Sequence, residues 1–215
     1  MSEPRWPTVV FDFDGTLADT ISIIMDAFRH TTATVLGWVE DDDVIRAGIG
    51  RTLAARMHEI DADRADELEA VYVPFMATEL PRRVTAYLGM SELVADLRAA
   101  GVRVAVATSR RRAQTAEALA TLGLDGDIEV LVALEDTEIH KPQPDPLLLA
   151  CERLGVDPAS AVYVGDAVVD VQAAQAAQMS AVAVTWGAGR DDDLAAAEPT
   201  RLVHDHQTLR EVLLP

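Results

Sequence analysis

The chain opens with a short unbroken apolar run, Thr8-Val9-Val10-Phe11, between Pro7 and Asp12. Such a run predicts a strand buried on both faces. From Ala18 to Leu36 the rhythm becomes helical, with Ile21, Ile24, Met25, Phe28, Thr32 and Val35 in step and Gly37 as the stop. The acidic run Glu40 to Asp43 precedes Val44-Ile45-Arg46 and reads as a helix-starting cluster that caps free N–H groups and opposes the helix dipole. Gly48 to Thr52 is a glycine-punctuated turn. Thr52 caps a helix through Ile60, and another is predicted over Asp61 to Met76. Residues 18–82 are therefore expected to be all helix.

Beyond Val84 helices and strands alternate. Helices are predicted over Met90–Ala100, Arg112–Leu122, Pro144–Leu154, Val168–Ala177 and Gln207–Leu213. Strands are predicted over Val102–Ala107, Ile128–Ala133, Ala161–Val164, Ala181–Thr185 and Arg201–Val203. Alternation of this kind builds βαβ units and a parallel sheet with right-handed crossovers. The expected fold is α/β, a Rossmann-like parallel sheet core with an inserted all-α domain. The core would comprise residues 1–17 and 83–215 and the helical domain residues 18–82, with hinges near Leu17 to Asp19 and Pro81 to Val84.

Composition narrows the class. The 215 residues carry 18 Lys and Arg against 36 Asp and Glu, a formal net charge of −18. This argues against a general nucleic-acid or anionic-membrane surface, although a local basic cluster in a cleft can still take an anion. The single cysteine, Cys151, excludes an intrachain disulfide, fits a reducing compartment and reads as a small residue on a helix face. No apolar stretch approaches the roughly 20 residues of a membrane span. The N-terminus has no basic-then-apolar signal pattern. A cytoplasmic protein is expected.

Chemistry concentrates where strands end. Ligands of open α/β sheets bind outside the carboxyl ends of strands, and the first strand ends in Asp12-Phe13-Asp14-Gly15-Thr16. Two carboxylates so close repel unless a cation or a shared proton intervenes. Asp is a hard oxygen ligand for Mg²⁺ and, ionised, a nucleophile toward phosphorus. A solvated turn is the plain alternative. The second strand ends at Thr108-Ser109-Arg110, where hydroxyl and N–H donors can meet a phosphate or simply cap a helix. Lys141 sits in the proline-fixed stretch His140-Lys141-Pro142-Gln143-Pro144, and the neighbouring His140 reads as structural. The fourth site is Gly165-Asp166, with Asp170 one helical turn on. Asp166 can supply a further carboxylate oxygen to a metal. Asp170 can brace Lys141 or a metal-bound water, or serve only as a first-turn helix acid.

Together these four strand ends resemble, in order and spacing, the motifs of the haloacid dehalogenase-like hydrolase superfamily. The helical insert after the first motif resembles the cap of its phosphoglycolate phosphatase-like subgroup. The resemblance implies roles. Asp12 is nucleophile and metal ligand. Asp14 is acid and base, with its backbone carbonyl on the metal. Thr108 and Lys141 bind the phosphoryl group, and Asp166 completes a Mg²⁺ site to which Asp170 is a further candidate. Ser109 and Arg110 stand where the family commonly has Asn and Lys, and Ala167 stands where it usually has a polar residue. The expected function is a Mg²⁺-dependent phosphatase that hydrolyses a small phosphomonoester through an aspartyl-phosphate. A phosphomutase or pyrophosphatase of the same superfamily is the alternative, and a phospho-accepting signalling domain is disfavoured by the insert and the paired aspartates. The expected partner is a small phosphorylated metabolite, with no nucleic acid and no membrane, and either a monomer or a dimer is compatible. In the insert, Arg51 or Arg46 would read a substrate carboxylate or second phosphate.

Overall fold

The computed structural model describes residues 5–128 and 130–214. Six parallel strands form the central sheet in the order β5-β4-β1-β6-β7-β8: β1 (Thr8–Phe11), β4 (Arg103–Ala107), β5 (Val130–Val132), β6 (Ala161–Gly165), β7 (Ser180–Val184) and β8 (Arg201–Val203). The α/β expectation holds. Strand side chains alternate between faces, and the apolar residues divide accordingly. Val9, Phe11, Val104, Val106, Val162 and Val164 pack on one side with helices α5 (Met90–Ala99) and α10 (His206–Leu213). Val10, Ala105, Ala107, Tyr163 and Ala181 pack on the other with α7 (Asp145–Leu154) and α8 (Val168–Ala176). Cys151 lies buried on α7 in that second layer, and burial pushes its thiol up to about 11.

Register is what aligns the strand ends. Phe11 pairs with Val106 of β4 and with Val164 of β6. The residues that follow, Asp12, Thr108 and Asp166, therefore leave one edge of the sheet side by side. The Asp12 N–H still donates to the Val164 carbonyl at 2.8 Å.

Between β1 and α5 the chain makes four α-helices: α1 (Ile21–Leu36), α2 (Asp42–Gly48), α3 (Leu53–Ile60) and α4 (Ala65–Arg83). The caps follow the acidic and hydroxyl signals. The Asp41 side chain accepts from the Asp43 N–H, and Thr52 accepts from the Ala55 N–H. Two boundaries differ from the sequence expectation. Ala18–Asp19 is not helical. It forms strand β2, antiparallel to β3 (Thr85–Ala86), so the segments leaving and rejoining the sheet run as one two-stranded ribbon. And α4 continues past Met76 to Arg83 with Pro74 and Pro81 inside it. Leu68, Tyr72, Met76 and Leu80 are buried at four-residue intervals, and this continuous apolar stripe outweighs the proline penalty of about 3 kcal/mol. Strand β5 starts at Val130, not Ile128; Glu129 lies outside the described residues.

Helices α1 and α4 pack through Phe28 and Tyr72, whose ring centroids lie 5.0 Å apart. Gly48, the last residue of α2, faces the side chain of Arg56 from α3; a Cβ on residue 48 would lie 2.0 Å from the Arg56 Nε. Arg56 is only 5% exposed and cannot retreat to solvent. Gly48→Ala is thus expected to lower stability by about 1–3 kcal/mol through overpacking, although alanine is the better helix former. Urea denaturation checks it: a stabilised variant would show that Arg56 moves freely.

Candidate active site

Four buried charged side chains meet where β1 and β6 end. Asp12 leaves β1, Asp166 leaves β6, Asp170 lies in the first turn of α8, and Lys141 comes from the proline-bounded loop before α7. Each is at most 4% exposed. The Lys141 Nζ lies 2.7 Å from Asp170 Oδ1, 3.1 Å from Asp12 Oδ2 and 3.0 Å from the Tyr163 hydroxyl. Tyr163 in turn donates to the Ala107 carbonyl at 2.8 Å. Burial opposes the ammonium, but Asp12 and Asp170 outweigh it and hold Lys141 well above its ordinary value.

Asp166 is cradled rather than paired. Thr16 Oγ1 donates to its Oδ1 at 2.8 Å and the Ala188 N–H to its Oδ2 at 2.7 Å. A Cβ on Gly15 or on Gly187 would fall 2.2 Å from that carboxylate, so only glycine lets both loops close on it. Gly15 also needs its freedom for a backbone φ of +78°. Asp170 Oδ2 accepts the Ala167 N–H at 2.9 Å, so one side chain serves both the helix start and Lys141.

The donor set suits a hard divalent cation. Asp12, Asp166 and Asp170 each offer a carboxylate oxygen within 4.8 Å of the others. Asp12 Oδ1 is buried without a hydrogen-bond partner. Three ionised carboxylates against one ammonium leave an excess of two negative charges, which a divalent ion would cancel. Without such an ion, burial holds Asp12 well above the ordinary carboxylate range against the pull of Lys141. Burial, reinforced by Asp170, pushes Asp166 up to about 7.

Asp14 points elsewhere. Its carboxylate takes Arg110 Nε at 2.9 and 3.1 Å and Arg110 Nη2 at 2.8 Å. It also accepts from Thr20 Oγ1 at 2.7 Å. Thr108 is buried beside Asp12, and its hydroxyl accepts the Arg110 N–H at 3.2 Å. Ser109 Oγ donates to the Gly50 carbonyl at 2.8 Å, a bond that ties the helical segment to the end of β4.

A cavity opens over Asp12 and Asp14. Thr108 to Arg111 form one wall, and Phe28, Gly48 to Arg51, Arg56 and Tyr72 of the helical segment form the other. The structure therefore brings together Asp12, Asp14, Thr108, Ser109, Arg110 and Arg51. Arg46 lies apart, donating to the Gly187 carbonyl at 3.1 Å. Of the two arginines the sequence offered for the substrate's far end, only Arg51 lines the cavity. Sequence reasoning assigned no role to Tyr163, Thr16 or Thr20, whose partners depend on the fold.

Comparison with known proteins identifies a family. The family described as haloacid dehalogenase-like hydrolase matches residues 9–184. "Pyrophosphatase PpaX" of Bacillus velezensis is 30% identical over 213 residues, 99% of this chain and 98% of that protein. "Probable phosphatase IndB" of Dickeya dadantii is 35% identical over 206 residues, 92% of this chain and 89% of that one. The crystal structure of a "Putative haloacid dehalogenase-like hydrolase" from Bacteroides fragilis superposes with a TM-score of 0.89 at 27% identity, covering 95% of this chain and all of that one. No helix among the described residues is long and apolar enough to cross a membrane.

The raised carboxyl of Asp166 makes stability depend on pH. Its folded pKa of about 7 exceeds its unfolded value of 3.8. The folded state then binds the extra proton, and its contribution is fully present below pH 3.8 and lost as pH rises through about 7. Chelator-treated protein should lose denaturation midpoint across that window relative to Asp166→Asn. A divalent cation should restore it at the upper end. Parallel profiles for the two proteins would remove Asp166 as the source.

Proposed function

The chain belongs to the haloacid dehalogenase-like hydrolase family, and from that premise we propose that it is a Mg²⁺-dependent phosphatase. Its substrate is a small phosphomonoester of the phosphoglycolate kind, and its route an aspartyl-phosphate on Asp12. The observation that carries the reading is the buried Asp12 carboxylate. One oxygen is held 3.1 Å from Lys141, the other is buried without a hydrogen-bond partner, and the residue lines the cavity.

In this reading Asp12 attacks phosphorus, the bond to the leaving oxygen breaks, and Asp14 donates a proton to that oxygen. Water then attacks the aspartyl-phosphate while Asp14 takes its proton, and phosphate and Asp12 are released. Thr108 and Lys141 bind the phosphoryl oxygens from fixed positions, so little rearrangement is needed as charge develops there. Asp12, Asp166 and the Asp14 backbone carbonyl, with Asp170 nearby, would hold Mg²⁺, which would supply charge neutralisation between carboxylate and phosphate. Arg110 and Thr20 are the partners Asp14 exchanges to reach the leaving oxygen.

The segment 18–82 acts as the cap in this reading. It closes the cavity from above, so the substrate is a small metabolite and not a protein surface or nucleic acid. Arg51 reads the far end of the leaving group. Pyrophosphate is the second candidate substrate, favoured by the likeness to the Bacillus velezensis protein, whose name specifies it.

Asp12→Asn should fold normally by circular dichroism yet release phosphate at least about a thousandfold more slowly from p-nitrophenyl phosphate with Mg²⁺. Activity within about tenfold of the unaltered enzyme would overturn the nucleophile assignment.

A panel of phosphorylated metabolites should rank phosphoglycolate or pyrophosphate first, and Arg51→Ala should reorder that ranking. Rapid dephosphorylation of a folded phosphoprotein would sink the small-molecule reading, and an unchanged ranking would remove Arg51 from the specificity site.

A further inference from the structure

Arg51 is not free in the cavity wall. Glu59 of α3 engages both of its terminal nitrogens: Arg51 Nη2 donates to Glu59 Oε2 at 2.8 Å, and Nη1 donates to Oε1. The same Oε2 accepts Arg56 Nη1 at 2.6 Å. Two guanidinium groups therefore converge on one carboxylate. Behind them Arg56 Nη2 reaches both oxygens of Glu40 at 3.3 and 3.4 Å. Glu40 is 8% exposed, and Arg56 fits only because residue 48 has no side chain.

The four charges cancel in pairs, but their freedom differs. Arg56 and Glu40 are locked inside the segment, whereas the Glu59 side chain is 44% exposed and can swing into water. The Nε atoms of Arg51 and Arg56 are both buried without an acceptor. A buried N–H in that condition is a standing cost that an incoming acceptor relieves. Two arginines that meet on a displaceable carboxylate, with unused donors beside it, make an anion clamp whose occupant belongs to the protein. Removing that occupant leaves Arg56 anchored by Glu40 and Arg51 with an uncompensated charge.

We propose that Glu59 is a specificity-determining positioning residue that competes with an anionic group on the leaving portion of the substrate for Arg51. The inference rests on the reading that Arg51 faces the leaving group. A carboxylate or second phosphate must displace Glu59 or sit beside its charge; a leaving group without an anion does neither.

The test is Glu59→Gln, which keeps the size and helix preference of the side chain and removes its charge. Steady-state kinetics with Mg²⁺ would compare p-nitrophenyl phosphate, 2-phosphoglycolate and pyrophosphate. The expected result is a fall of about tenfold in KM for the substrate or substrates of the anionic pair that the enzyme turns over. Their kcat should stay within about twofold, and p-nitrophenyl phosphate should be little changed in both parameters. Arg51→Ala in the same background should abolish the gain. If Glu59 only props Arg51 in place, the sign reverses: KM for the anionic substrates rises. That rise, or an unmoved KM, overturns the proposal. Glu59→Ala, judged by the same sign, replaces the Gln variant should the latter melt early. If the unaltered enzyme turns over p-nitrophenyl phosphate but neither anionic compound, this inference falls and the phosphatase reading stands. If it turns over none of the three, both fall.

Discussion

Keeping three carboxylates and an ammonium out of water at one sheet edge constrains most of what surrounds them. Each buried charge needs fixed partners, because desolvating an ion costs more than a loosely made pair returns. The parallel register of β1, β4 and β6 delivers Asp12, Thr108 and Asp166 to a common level. Tyr163 then bridges Lys141 to the Ala107 carbonyl, and backbone N–H groups of Ala167 and Ala188 close on Asp170 and Asp166. The loops achieve this only by dispensing with side chains. A Cβ at Gly15, Gly165 or Gly187 would come within 2.5 Å of Asp166 or Asp170. These glycines are spatial requirements of a charge cluster more than turn-formers.

What could be read from the sequence was what local pattern encodes. Val9 to Phe11, Val104 to Ala107 and Val162 to Val164 are apolar without interruption because both faces of a parallel strand are covered, and the strands lie there. Asp41 and Thr52 announced helix starts because their side chains bond backbone N–H groups two or three residues on. The ribbon of β2 and β3 was illegible. Two residues pairing across the whole helical segment leave no period in the sequence. The helix expected to end at Met76 runs on to Arg83, because Leu80 continues the buried stripe of Leu68, Tyr72 and Met76 past Pro74 and Pro81.

The site divided in the same way. Residues at strand ends were visible because the end of an apolar run marks an edge. Asp14 was visible as well, but not its orientation toward Arg110, 96 residues on. Nor was the group Glu40, Arg56 and Glu59, which in sequence reads as an ordinary charged surface. Gly48 was noticed as a turn residue, and its actual service, making room for a buried guanidinium, depends on how α2 meets α3.

The chain is strongly acidic, yet arginines crowd the cavity, and each meets a carboxylate: Arg51 with Glu59, Arg56 with Glu40 and Glu59, Arg110 with Asp14, and Arg111 with Glu69. The cations are held in place without a net positive field, which would otherwise bind any passing anion. An entering anion gains a guanidinium only where it can release the resident carboxylate to water, and release is easier the more exposed that carboxylate already is. One of these pairs, and a hydroxyl bond to the carboxylate of another, also join the helical segment to the sheet. Thr20, just before α1, holds Asp14 at the end of β1, and Glu69 of α4 holds Arg111 beyond β4. Displacing the segment relative to the sheet strains those bonds, and exchanging the carboxylates' partners loosens the segment. The charge pairs of the cavity and the seating of the helices above it therefore depend on the same side chains.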